Sequence, residues 1–196
     1  MRLLYKFIQA YLQYVTTPLN KILLKLSNCD YGKNFHTRGM LTVLNYAGSG
    51  GIKIGNDVNI NSSKYANSLV GSSCTLLKTN GSGRIRIGNN VGISNSVIIS
   101  ASSITIKDNV TIGAGVKIYD TDFHPMDAYA RQHGNYGTKS SEVVIEEDAF
   151  IGTMSIILKG VRIGKGSVVG AGSLVTKSIP DGEIWGGNPS RFLKKL

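Results

Sequence analysis

The sequence predicts an all-β solenoid of about six coils, entered through an amphipathic helical segment and left through an extended tail. Three observations carry that prediction. Six β-branched residues, Ile145, Ile151, Ile157, Ile163, Val169 and Val175, recur at an unbroken spacing of six. A second ladder, Ile87, Ile93 and Ile99, then after one extra residue Ile106, Ile112 and Ile118, obeys the same rule. Glycine makes up 24 of the 196 residues and falls directly after a ladder residue at Gly88, Gly113, Gly152, Gly164 and Gly170. A period of six matches neither the roughly 3.6 repeat of a helix nor hairpins turning about every 8 to 12 residues. It matches short strands joined by turns, three to a coil, with the ladder residues pointing inward and stacking on those of the next coil. At about 4.8 Å per coil the prism stands about 30 Å tall.

The elements follow in order. Residues 1–40 are a helical segment and lead-in, 41–180 the β-helix with an inserted loop over 119–142, and 181–196 the tail. In the first segment Leu3, Leu4, Phe7, Ile8, Tyr11, Leu12 and Val15 share one helical face, and Leu19, Ile22, Leu23 and Leu26 repeat it beyond Pro18, where the helix is expected to break or restart. Lys6, Lys21 and Lys25 lie off the stripe. Two readings stand for residues 1–26: a cap packed on the main domain through its apolar stripe, or a basic amphipathic segment in peripheral contact with the inner membrane face. No apolar run reaches about 18 residues and no signal-peptide pattern is present, so no spanning segment is expected. Ile54-Gly55 and Ile60 show the hexad more faintly upstream, and Pro180 with Asp181-Gly182 ends it.

Composition narrows the function classes. Hydrophobic residues are 41% and charged residues only 17%, against a globular norm of about 25% charged, which argues against disorder. The formal charge of +10 is concentrated at the ends: +5 over residues 1–40, +3 over 41–174 and +2 over 175–196. The surplus therefore reads as a helix and a tail, and no nucleic-acid partner is expected. Cys29 and Cys74 form no CxxC pair, so neither a disulfide framework nor a zinc site is indicated, and a reducing cytoplasm is the expected compartment.

The hexads, the run Gly170-Ala171-Gly172-Ser173-Leu174-Val175-Thr176-Lys177, the run Gly187-Asn188-Pro189-Ser190-Arg191 and the stretch His124-Pro125-Met126-Asp127 resemble the hexapeptide-repeat acyltransferases. The resemblance covers roughly residues 52–196 and is to the branch of maltose and galactoside O-acetyltransferases and polysaccharide O-acetyltransferases. It implies a left-handed parallel β-helix, a homotrimer with active sites between subunits, acetyl-CoA as co-substrate, and His124 as the catalytic histidine. It also implies that Thr153, Ala171, Thr176, Lys177, Arg191 and Lys194 contact CoA. In place of the asparagine that helps position the reacting groups in the sugar O-acetyltransferases stands Ser94, with Asn95 adjacent, and an acidic acceptor contact falls on Ser102. The acceptor pocket therefore departs from that of the simple mono- and disaccharide enzymes.

The residues support the same chemistry. The period fails between Ile118 and Ile145, and an inserted loop is where a repeat protein adds function. A hydroxyl attacks a thioester only as a base removes its proton, and the neutral imidazole of His124 suits that task. Asp120 and Asp122 are placed to orient the imidazole or bind a sugar hydroxyl; the bland reading for both is turn chemistry. The Lys and Arg side chains of the tail suit the phosphates of CoA. The reading is an acetyl-CoA-dependent O-acetyltransferase of a sugar hydroxyl in cell-surface polysaccharide (capsule or O-antigen) biosynthesis, with no metal. Its alternatives are N-acetylation of an amino sugar or antibiotic and a non-catalytic scaffold. A zinc enzyme with three histidine ligands is disfavoured, since His36 precedes the coils and only His124 and His133 share the loop.

Overall fold

A computed structural model describes residues 2–71, 73–134 and 136–196. Met1 of the helical segment, Ser72, and Asn135 of the inserted loop lie outside the described residues.

Three sheets form the walls of a prism. The first runs from Asp30–Tyr31 through Ile52–Ile54, Arg84–Ile87, Ser103–Ile106 and Val143–Ile145 to Arg162–Ile163. The second runs through His36–Arg38, Asn59–Asn61, Gly92–Ser94, Thr111–Ile112, Phe150–Ile151 and Val168–Val169, and ends with Glu183–Gly186 and Arg191–Lys195. The third holds Thr42–Asn45, Leu76–Thr79, Val97–Ser100, Lys117–Tyr119, Ile156–Ile157 and Leu174–Val175. The chain visits the walls in rotation, which makes six coils. Among the strands of these sheets only Glu183–Gly186 with Arg191–Lys195 is antiparallel.

The register stacks like on like. Ile54, Ile87, Ile106, Ile145 and Ile163 form one buried column, and Ile60, Ile93, Ile112, Ile151 and Val169 the second. The third column is Val43, Leu77, Ile98, Ile118, Ile157 and Val175. Here the sequence ladder is corrected by one residue: Ile98 is buried and Ile99 points outward. The corner at Asn95, with φ of +43°, turns one residue early, and the corner at Ala101–Ser102 takes up the excess.

The glycines after ladder residues serve close approach. A Cβ on Gly152 would lie 2.5 Å from the Ala171 nitrogen, and one on Gly113 2.7 Å from the Thr153 nitrogen. Successive coils thus stack backbone on backbone at this corner, with no room for a side chain between them.

The first coil begins at Asp30, inside the span read as lead-in. Helix α1, Arg2–Leu26, runs unbroken with Pro18 inside it, so the expected break does not occur. Its orientation reverses the expected one. Thr16, Thr17, Asn20 and Leu24 are buried on the first coil, while Leu3, Leu4, Phe7, Tyr11, Val15, Leu19, Ile22 and Leu26 are exposed; of the expected stripe Ile8, Leu12 and Leu23 are half-buried, Leu23 against the core. The cause is the strand His36–Arg38, the outermost of its sheet, whose backbone groups on that side have no strand to pair with. Thr17 Oγ1 accepts from Thr37 N–H at 2.9 Å and Thr16 Oγ1 from Gly39 N–H at 3.0 Å. Asn20 Nδ2 donates to the Gly39 carbonyl at 2.9 Å, and its Oδ1 accepts from Leu41 N–H at 3.0 Å. A polar helix face seals the coil end because it can complete those hydrogen bonds.

Candidate active site

The inserted loop leaves the corner between the third and first walls. Its neck is a two-stranded stub: Thr121 bridges Ser140 antiparallel, Asp122 N–H donates to the Lys139 carbonyl at 3.1 Å, and Ser141 N–H donates to the Asp120 carbonyl at 2.8 Å. Beyond the neck a short helix α2, Ala128–Gln132, is capped by Asp127, whose carboxylate accepts from Ala130 N–H at 2.8 Å. Arg131 donates to the carbonyls of Pro125 and Met126 and so ties α2 to the segment that precedes it. His124 is exposed on that segment, its N–H donating to the Asp122 carbonyl at 2.7 Å. A cavity of about 460 Å³ opens within the loop, lined by Asp122, Pro125, Met126, Asp127, Tyr136 and Lys139 among others.

The two loop aspartates part company. Asp122 pairs with Lys159 at 2.8 Å, which ties the loop to the coil beside it while leaving the carboxylate at the edge of the cavity. Asp120 is fully buried. Its carboxylate accepts from Ser100 Oγ at 2.7 Å, Ala101 N–H at 2.7 Å and Ser102 N–H at 2.9 Å. The expectation that Asp120 binds acceptor or orients the imidazole is therefore corrected: its lone pairs are spent on the corner beneath the loop, and no acceptor reaches it. Ser102, its partner in that corner, is half-buried.

The remaining sequence-derived residues fall on two corners. His124, Thr176 and Lys177 lie at the corner between the third and first walls, Thr176 and Lys177 exposed just past Leu174–Val175. Ser94, Asn95, Thr153 and Ala171 line the corner between the second and third walls, joined by Gly115 N–H to the Asn95 carbonyl and Gly172 N–H to the Thr153 carbonyl. Arg191 opens the tail strand at this corner, opposite Gly186, and Lys194 lies farther along the strand, both exposed. The width of the third wall, about 13 to 17 Å for a strand and its flanks, separates the two groups within one chain. His124 and Asn95 are thus not brought together by a single copy.

Asn95 is buried; its Nδ2 donates to the Asn67 carbonyl at 2.9 Å, and among the described residues its Oδ1 has no hydrogen-bond partner. Asn67 belongs to a second insertion, between Asn59–Asn61 and Leu76–Thr79, and Val70 of the same insertion sits with Met154 against Gly115. Sequence reading missed this insertion, and it missed Lys159 and Tyr136. The signal was present: Ile60 and Leu77 are consecutive inward residues 17 apart where the ladder prescribes six. His133 stacks on Tyr129 with centroids 3.9 Å apart, and Trp185 packs partly buried on the core and donates to Glu183 at 2.7 Å. No group of metal-ligating side chains occurs among the described residues.

A six-coil parallel solenoid with a histidine-bearing loop on one corner and a basic strand closing it defines a hexapeptide-repeat protein. The family model for the hexapeptide repeat of succinyl-transferase matches residues 84–120 and 142–177. A galactoside O-acetyltransferase of Lactococcus lactis is 41% identical over 102 residues, 52% of this chain and 48% of that protein. The chain spans about half the length of the curated relatives it matches. A hexapeptide-repeat containing acetyltransferase of Vibrio cholerae, solved with acetyl coenzyme A, is 33% identical, covers 63% of this chain and 69% of its own, and superposes with a TM-score of 0.55. An N-acyltransferase from Bacillus cereus, solved with dTDP and coenzyme A, shares the fold at 23% identity, with a TM-score of 0.67 over 89% of this chain and 88% of that one. The chain belongs to the hexapeptide-repeat acetyltransferase family, and its solenoid is the left-handed parallel β-helix.

Proposed function

We propose that the protein transfers an acetyl group from acetyl-CoA to a sugar hydroxyl, on the cytoplasmic side of cell-surface polysaccharide assembly. The observation that carries the reading is the loop: His124 is exposed on a segment whose neighbours Asp122 and Pro125 line a cavity of acceptor size, and the loop's neck and helix are hydrogen-bonded into place. The His124 imidazole takes the hydroxyl proton as the oxygen attacks the thioester carbonyl. The tetrahedral intermediate collapses with cleavage of the C–S bond, and the departing thiolate takes the proton back from the imidazolium. The exposed Lys177, Arg191 and Lys194 suit the CoA phosphates. Asp122, Asp127 and Tyr136 give the cavity acceptors and a hydroxyl that suit a polyol.

The two corner groups act on one ligand when a second copy brings its Asn95 corner against the His124 loop. The outward side of the third wall supports that assembly, since Leu76, Val97, Ile99, Ile156, Leu158 and Leu174 give it a largely apolar surface, interrupted by Lys78 and Lys117. The first wall instead shows Lys53, Arg84, Arg86 and Arg162. A homotrimer packed through this wall completes three sites.

Release of free CoA thiol in the presence of candidate sugars tests the reading. His124→Ala is expected to lower kcat by about 10² to 10⁴, and near wild-type turnover would remove the base. Arg191→Glu is expected to raise KM for acetyl-CoA with kcat little changed. Mild base treatment of the product releases acetate from an ester and leaves an amide intact, so a base-stable product assigns the chain to N-acetylation instead.

A further inference from the structure

The face of α1 turned away from the prism is continuous and apolar. Leu4, Phe7, Tyr11, Val15, Pro18, Ile22 and Leu26 follow one another at spacings of three, four, four, three, four and four. An 11-residue repeat keeps a stripe straight along a helix. Leu4, Phe7, Tyr11, Ile22 and Leu26 are each more than half exposed, from 56% to 78%. The stripe lies opposite Thr16, Thr17, Asn20 and Leu24, so it faces outward at the end of the solenoid.

Charge decides what covers it. Residues 2–26 contain Arg2, Lys6, Lys21 and Lys25 and no acidic residue. A second copy of this helix would set cation against cation with nothing to neutralise either, so self-association by this face is disfavoured. No helix of the described residues is long and apolar enough to cross a membrane. An exposed Leu, Ile, Phe and Tyr stripe flanked by Lys21 and Lys25 fits the plane of an anionic bilayer: the apolar side chains enter the acyl boundary, Tyr11 and Tyr14 lie at headgroup depth, and these two lysines meet lipid phosphates.

We propose that α1 lays the protein flat on an anionic lipid surface, the coil end toward the bilayer. The inference stands on the helix alone and does not depend on the reaction assigned above. The test is co-sedimentation of the full chain with vesicles of phosphatidylcholine and with vesicles that also contain phosphatidylglycerol. Binding to the anionic vesicles is expected, at least about tenfold tighter than to the neutral ones and weakened by salt. Lys25→Glu should weaken it about fivefold or more, and Phe7→Ser with Ile22→Ser should abolish it. These side chains are exposed, so circular dichroism and molar mass by light scattering should match the parent. Absence of binding, or equal binding to neutral vesicles, overturns the proposal. So does a fall in molar mass in the Phe7→Ser and Ile22→Ser variant, which would make the stripe an interface between copies.

Discussion

Replacing Asn20 with leucine isolates what the polar face of α1 contributes. Asn20 is fully buried and serves three groups at once: it donates to Thr37 Oγ1 at 2.8 Å and to the Gly39 carbonyl at 2.9 Å, and accepts from Leu41 N–H at 3.0 Å. Leucine has nearly the same shape and none of these bonds. Thr37 Oγ1 retains Thr16 as a neighbour at 3.4 Å, whereas the Gly39 carbonyl and the Leu41 N–H lose the Asn20 side chain. A buried backbone group without a partner costs about 1 to 3 kcal/mol, so the two together set an expected loss of about 2 to 6 kcal/mol, offset by about 1 kcal/mol from the added apolar contact. The assay is urea unfolding followed by circular dichroism, paired with amide exchange over residues 30–61. In a solenoid each coil leans on its neighbours, so the loss should appear first as faster exchange in the first two coils. The exposed control Ile22→Asn should lie within about 0.5 kcal/mol of the parent. An Asn20→Leu protein as stable as the parent, with unchanged exchange at Leu41, would refute the view that hydrogen bonding rather than apolar burial seats this helix.

Two further perturbations test the stacking of coils. Glu146 holds Lys107 at 2.6 Å and Arg162 at 2.9 Å across neighbouring coils, and Arg162 continues to Asp181 at 3.0 Å. The hydrogen bond from Lys107, with that from Arg162, pulls the Glu146 carboxyl below its ordinary range against the smaller opposing effect of its burial. A carboxyl depressed on folding stabilises above its unfolded value near 4.3 and loses that contribution as pH falls through the lower folded value. Glu146→Gln should therefore cost about 1 kcal/mol near neutrality, with the difference from the parent closing in thermal melts below pH 4 or so; a gap that persists at pH 3 would show that packing, not charge, sets it. Gly152→Ala should cost about 1 to 3 kcal/mol, because its Cβ meets the backbone of Val169, Gly170 and Ala171. Gly172→Ala, at φ +70° with open space around it, should cost about 1 kcal/mol from backbone conformation alone, and equal losses at the two positions would remove the argument from close approach.

The walls from Ile87 onward were legible because their inward residues are nearly all Ile or Val and their corners nearly equal. Where a corner changes length the ladder misleads, as at Ile99, since a one-residue slip exchanges the two faces of a strand. The first coil escaped notice because its second wall turns Thr37 inward, a residue chosen to bond α1 rather than to extend an apolar ladder. The helix itself was readable from its period, but its orientation was not. Apolar periodicity reports that a helix has two faces; which one packs depends on the surface it meets, and an open strand edge needs donors and acceptors. Asp120 misled for a related reason: its place in the loop sequence suggested ligand contact, whereas its strand register turns it inward on Ser100.

That inward turn bears on how the site is built. Down the third wall the last inward position of each strand is polar in four successive coils: Asn45, Thr79, Ser100 and Asp120. Asn45 accepts from Thr79 at 2.8 Å, and Ser100 donates to Asp120 at 2.7 Å. Apolar residues here would bury as much surface, yet they would leave the N–H groups of Ala101 and Ser102 without the carboxylate that fixes their corner. The column ends directly beneath the neck at Thr121 and Ser140. A loop attached to a corner of short strands has little backbone to hold it still, and a proton transfer tolerates only small displacement of the base. The buried carboxylate at its root and the Asp122–Lys159 pair at its side anchor the segment that carries His124. On the proposed reading, changes at Met126 and Tyr136 are expected to alter the acceptor while leaving these anchors in place, whereas Asp120 is bound to the fold.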